Sequence, residues 1–173
     1  KRPMFKIDGA YFFHAQKMVG WLSERDLEGD RWLQRKLERS PINIPDDRNP
    51  AAAIVVIKPK PAIHHEVKNG KPYFNITLTM KAFVDELVRD TSKTDIEKLL
   101  NEGIEKQIRD TYEKGLDIKI DVLKLGQCLY RENPKLWHSL HRDGEFILDR
   151  DSLQNVDVKV TLIHSGKYKL RVE

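Results

Sequence analysis

Cysteine is nearly absent from this 173-residue sequence. Cys128 stands alone, so no disulfide can close within the chain, and the redox compartment stays open. No stretch of about 18 residues is free of charge, which excludes a membrane-spanning helix. Neither sign of charge dominates: 31 Lys+Arg against 27 Asp+Glu leave a formal net charge of +4. That permits weak attraction to anionic lipid or nucleic acid and requires neither. There is no G-x-G-x-x-G turn, P-loop, G-x-S-x-G elbow, zinc-protease helix motif or EF-hand spacing, so no nucleotide cradle and no ready-made catalytic motif is visible. The chain opens Lys1-Arg2-Pro3-Met4, with no initiator Met and no signal-peptide pattern. It reads as a piece of a longer protein, with any targeting segment or lipid anchor upstream.

What is present suffices for one core. Hydrophobic residues make up 39% and charged residues 34%, which points to a single domain over 1–173 with a heavily solvated surface. Phe5–Phe13 and Lys17–Trp21 read as a hairpin turned at His14-Ala15-Gln16. Ser23, with Asp26 three residues on, reads as the cap of a helix carrying Leu27, Trp32, Leu33 and Leu37 and ending before Pro41. Gly29 inside that helix implies that something there demands a small residue. Pro41–Pro50 reads as a loop. Ala51–Ile57 is a continuous apolar run expected to be buried on both faces. Lys58-Pro59-Lys60-Pro61 confines the next segment to an edge or a bulge, and the strand resumes over Ala62–Val67. Asn69-Gly70 is a strong hairpin signal. It leads into Tyr73–Asp85, where Phe74, Ile76, Leu78, Met80, Ala82 and Val84 alternate with polar residues.

Thr94 and Glu97 resemble a capping box opening the longest helix. Ile96, Leu99, Leu100, Gly103, Ile104, Ile108 and Tyr112 share its face, and Gly115 is the expected C-cap. Shorter helices are expected over Asp121–Tyr130 and Pro134–Leu140. A final strand runs from Val156 to about His164. Ser165-Gly166 then turns the chain, and Tyr168–Val172 adds an edge. The fold class that follows is α+β: a mostly antiparallel sheet packed against one long helix and several shorter ones.

Candidate chemistry is sparse. His138 and His141 share one helix face, but no spaced Cys pair accompanies them, so they read as surface histidines. Cys128 lacks a neighbouring base and reads as a small buried hydrophobe. Asp46-Asp47 and Asp149/Asp151 read as turn formers. Aromatics of Phe5–Phe13 and Tyr73–Phe83 lack an RNA-binding motif and read as core or structural residues. Arg31, Arg35, Lys36 and Arg39 share much of the Ser23 helix and are candidates for contacting an anionic surface, although acids interleave with them. Trp137, just after the Pro134 helix start, is either an anchor for that helix or a binding hot spot. No cofactor, metal or catalytic residue is implied.

The ordered motifs resemble the C-terminal domain of the Ger(x)C family. Gly9-Ala10-Tyr11-Phe12-Phe13 through Lys17-Met18-Val19-Gly20-Trp21-Leu22-Ser23 is similar to its G-x-A-x-F … L-x-G-x-L opening. Glu28-Gly29-Asp30-Arg31-Trp32-Leu33, the turn at Asn69-Gly70-Lys71-Pro72, Gly126 through Arg131 with Pro134-Lys135-Leu136-Trp137, and Val156–Val160 follow in the family's order. Gln127-Cys128 departs from the more usual pair at its place, and Ser23–Asp26 is more acidic. The resemblance implies the C subunit of a nutrient germinant receptor of spore-forming bacteria, a three-domain lipoprotein anchored on the outer surface of the spore inner membrane. It further implies integral membrane partners, the A and B subunits, no enzymatic activity and no nucleic-acid partner. Two other readings stand beside it: an enzyme using His138 and His141, and an anionic-lipid or nucleic-acid binding module using the Arg31–Arg39 segment.

Overall fold

The computed structural model describes residues 6–140 and 146–163. Phe5, His141, His164, the Ser165-Gly166 turn and the Tyr168–Val172 edge lie outside them. The hairpin forms, with a first strand that starts at Gly9 and takes in His14: β1 (Gly9–His14) pairs antiparallel with β2 (Lys17–Ser23). Its two turn residues, Ala15 and Gln16, both take positive φ, the backbone of a tight hairpin turn.

The main sheet holds β3 (Arg39–Ile44), β4 (Ala52–Lys68), β5 (Lys71–Leu87) and β6 (Leu153–Leu162), in that spatial order. The first three are antiparallel, and β6 runs parallel to β5. A parallel neighbour needs a long crossover, and α1 (Lys93–Asp117) provides it. Phe74, Ile76, Leu78, Met80, Ala82 and Val84 of β5 all face the core, with Ile96, Leu100, Ile104 and Ile108 of α1 in the same cluster. The fold is α+β, with α1 over one face of the sheet.

Several expectations are corrected. The segment after Ser23 is not a helix ending before Pro41. It makes two 3-10 turns, Arg25–Leu27 and Asp30–Leu33. Ser23 and Asp26 still bond reciprocally, the Asp26 N–H to Ser23 Oγ (3.2 Å) and the Ser23 N–H to Asp26 Oδ2 (3.0 Å). Tertiary contact overrides the helical pattern. Gly29 presses on α1 so closely that an added Cβ would lie 2.3 Å from the Gln107 carbonyl oxygen. Its N–H donates to Thr111 Oγ1 (2.9 Å), and the Thr111 hydroxyl donates to the Asp26 carbonyl (2.7 Å). The buried Trp32 donates its indole N–H to Gln107 Oε1 (2.7 Å).

Pro41–Pro50 is not wholly a loop, because Pro41 lies inside β3. That strand is at the sheet edge, where a missing N–H is tolerated. Ala52, Ile54 and Val56 of β4 are buried, while Ala53, Val55 and Ile57 are only half covered, so that run is not buried on both faces. Pro59 and Pro61 sit where β3 has ended and the β4–β5 register shifts, which makes the segment both edge and bulge.

Helix α1 is capped by Ser92, whose Oγ accepts the Asp95 N–H (3.1 Å), rather than by Thr94. Glu97 instead accepts the Leu162 N–H (2.8 Å). Gly115 is not the C-cap: α1 continues to Asp117, and the Gly115 carbonyl accepts the Ile120 N–H (2.8 Å). Helices α2 (Leu125–Glu132) and α3 (Pro134–Leu140) follow, α2 starting four residues later than expected.

Candidate functional site

Asp121 explains both the late start of α2 and the corner it builds. Its Oδ1 accepts the Leu125 N–H (2.9 Å) and its Oδ2 the Gly126 N–H (2.7 Å), meeting two donors that a helix start leaves open. Burial pushes the Asp121 carboxyl above its ordinary range, against the downward pull of those N–H groups. Gly126 then lets α3 close in: an added Cβ would fall 2.6 Å from the Trp137 ring. The Asn133 side chain accepts the Leu136 N–H (3.0 Å) and fixes the α2–α3 bend.

This corner is one wall of a cleft of about 860 Å³. The loop from Asp117 to Asp121 forms the floor, α2 and α3 supply Tyr130 and Trp137, Phe146–Leu148 close one side, and His14 and Val19 of the hairpin stand opposite. The walls are mainly apolar. Asp121 is occupied as a cap, and Asp117 and Lys119 belong to the floor. Such a cleft buries an apolar group.

Trp137 is therefore half-buried against Gly126 and also forms cleft wall. The four cations are not brought together on one helix. Arg31 lies in a 3-10 turn with its guanidinium 4.8 Å over the Trp32 ring, Arg35 and Lys36 lie in the following turn, and Arg39 opens β3. His138 is exposed and meets Tyr130 edge-on, with ring centroids 5.9 Å apart. Among the described residues no group of three His, Cys, Asp or Glu side chains is placed to hold a metal. Cys128 is half-buried, and burial, with Asp121 and Glu132 next, pushes its thiol up, away from the reactive thiolate. Asp149 caps the Arg150–Ser152 turn as a turn former and also pairs with Lys71 (2.5 Å).

The hairpin aromatics are not core residues. Phe74 is core, but Tyr11 is 65% and Phe13 64% exposed, with Met18 at 60% and Trp21 at 44%. The cleft itself went unseen in the sequence, because its walls come from five separated segments. The one local signal was Asp121, placed just ahead of the apolar start of α2.

The comparisons agree with one another. The family model described as spore germination B3/GerAC like, C-terminal, matches residues 8–166. Spore germination protein KC of Bacillus subtilis (strain 168) is 26% identical over 147 residues, which cover 80% of this chain and 36% of that protein. The crystal structure of the GerBC protein has the same fold, with a TM-score of 0.71 and 20% identity over 91% of this chain and 51% of that one. The chain thus spans about a third of the length of the curated relative and about half of the solved one. With the motifs, the α+β fold and the extent of the match in agreement, the chain belongs to the spore germination B3/GerAC-like, or Ger(x)C, family and corresponds to its C-terminal domain.

Proposed function

We propose that this chain is the C-terminal domain of the C subunit of a nutrient germinant receptor, and that it acts by packing against the A and B membrane subunits, with no bond made or broken. The family match over residues 8–166 carries the reading. The cleft supports it. An apolar hollow beside a half-buried Trp is suited to receive a partner's side chain, and its one sunken carboxylate is spent on capping α2. Trp137 is the anchor residue of that contact. The whole protein is a lipoprotein held at the outer surface of the spore inner membrane by a lipid anchor upstream of this domain.

The test is recovery of the A and B subunits from detergent-solubilised spore membranes, using the full-length protein with and without this domain. Recovery is expected to fall at least tenfold without it; equal recovery would place the contact elsewhere. Replacing His138 and His141 together by Ala is expected to leave germination rates unchanged, and a loss of germination with normal protein levels would favour the enzyme reading.

A further inference from the structure

The face of the main sheet turned away from α1 gathers cations from all four strands. Arg39 of β3, Ile57 of β4, Lys81 of β5 and Thr161 of β6 are successive partners across the sheet. Lys60, Thr79 and Lys159 form the next row. Three positions apart on a regular strand, Ile57 and Lys60 would point to opposite faces. The β4–β5 register shifts between them, and Lys58 takes positive φ, which turns Lys60 onto the same face. Only Arg39 belongs to the charge run seen in the sequence; the others meet through strand register alone.

Arg39, Lys60, Lys81 and Lys159 are all exposed, although Lys81 lies on an inner strand. Among the described residues none of the four joins an ion pair, while neighbouring Lys58 is tied to Glu38 (3.3 Å). Strand spacing and the two-residue step set adjacent members of the group roughly 8–10 Å apart at their backbones. That is close to the screening length of about 8 Å at physiological salt, so their mutual repulsion persists and an anionic surface laid on the face relieves it. Acids border the group: Asp157 stands in the following row, and Asp85 and Glu86 at the end of β5.

The same face carries apolar groups. Val55 and Phe83 pair across the strands beside the Ile57–Lys81 pair, and all three apolar side chains are partly exposed. Cations and apolar side chains on one broad face match the interface of an anionic bilayer, which offers phosphates and the acyl boundary together. A nucleic acid presents its charges along a line, whereas these cations spread across four strands.

We infer that this face rests on an anionic phospholipid surface, with Arg39, Lys60, Lys81 and Lys159 meeting headgroup phosphates and the Thr79 and Thr161 hydroxyls donating between them. The cleft takes no part in this contact, which stands apart from docking to the A and B subunits.

The experiment is co-sedimentation of the 173-residue chain, whose core closes within itself, with vesicles of phosphatidylglycerol mixed with phosphatidylcholine. Binding is expected at about 50 mM salt and not at about 500 mM, because the attraction is screened. At about a kcal/mol per cation near the surface, K81Q should weaken binding about fivefold and K60Q/K81Q/K159Q about a hundredfold. K98Q/K106Q/K135Q removes the same charge from exposed sites on α1 and α3 and should bind as wild type does. Circular dichroism melts should be unchanged throughout. Absence of binding at low salt, or equal binding to pure phosphatidylcholine, would overturn the inference. So would equal losses in the two triple variants, which marks net charge alone. Tighter binding to a DNA duplex or to polyglutamate, lost in the same way on K60Q/K81Q/K159Q, would overturn it in favour of a different partner.

Discussion

A methyl group on Gly29 would stand 2.3 Å from the Gln107 carbonyl oxygen and 2.6 Å from the Ile108 Cα, both backbone atoms of α1 that cannot swing aside. Gly29→Ala is therefore expected to destabilise the domain by about 1–3 kcal/mol through overpacking. Urea denaturation measures this, and an unchanged midpoint would contradict the packing. Asp121 makes a second residue-level test. Asp121→Ala removes the acceptor of two helix-start N–H groups and should cost about 0.5–2 kcal/mol. Its carboxyl is raised above the ordinary 3.8 by burial. A raised folded value means that its contribution is complete below 3.8 and declines as pH rises through the folded value. Wild type should therefore gain stability relative to Asp121→Asn as pH falls through the window between the two. Urea midpoints across acid pH would show it, and the opposite trend would show that the N–H groups outweigh burial. In the sequence Asp121 stands only as the expected start of a short helix. Gly29 was recognisable as a residue that must be small, but not that α1 was the reason, since its neighbour lies 82 positions away.

At the scale of elements, the strongest patterns were read from the sequence and the compromises were not. The alternation of β5, the Asn69-Gly70 turn and the stripe of α1 are local, repeated and unopposed, and they form as written. The Ser23 helix and β3 are the reverse. An imperfect stripe gave way to hydrogen bonds from Gly29 and Trp32 to Thr111 and Gln107, and Pro41 disguised the alternation of Ser40, Ile42 and Ile44, which are buried. Thr111 binds the 3-10 segment at two points, so Thr111→Val should leave a partly buried carbonyl and a buried N–H unmet and cost about 1–3 kcal/mol. Thermal unfolding checks it, and Thr111→Ser should retain most of the stability. Among the described residues β6 is an edge strand, and α1 meets part of that edge. Asn101 Oδ1 accepts the Val160 N–H (2.9 Å) and Glu97 Oε1 the Leu162 N–H (2.8 Å), so α1 side chains occupy donors that would otherwise recruit another strand. Replacing Glu97 and Asn101 together by Ala should promote concentration-dependent association, visible by light scattering; a strictly monomeric variant would show that this edge is guarded by something else.

For the whole molecule, the sheet, its helical cover and its family could be read before any coordinates, because ordered motifs along most of the chain survive local misreadings. The cleft could not. Its walls are the end of α1, the α2–α3 corner, Phe146–Leu148 and one side of the hairpin. Only the parallel placement of β6, with α1 as its crossover, and the close approach of Trp137 to Gly126 fix where those parts stand. Of the five proposed contact residues, Trp137 lines the cleft, and Arg31, Arg35, Lys36 and Arg39 are spread over two turns and a strand start. Arg35, Lys36 and Arg39 are exposed and Arg31 is half-buried over Trp32, so the charge run does not gather on one surface. The central claim is that this domain works by docking, with Trp137 at the contact. It is tested most directly by placing a photo-crosslinking amino acid at exposed Gln127, on the rim of the cleft, in the full-length protein and irradiating spore membranes. The account predicts an adduct with the A or B subunit from Gln127 that is lost when Trp137 is also replaced by Ala. Adducts from Arg35 and none from Gln127 would contradict it.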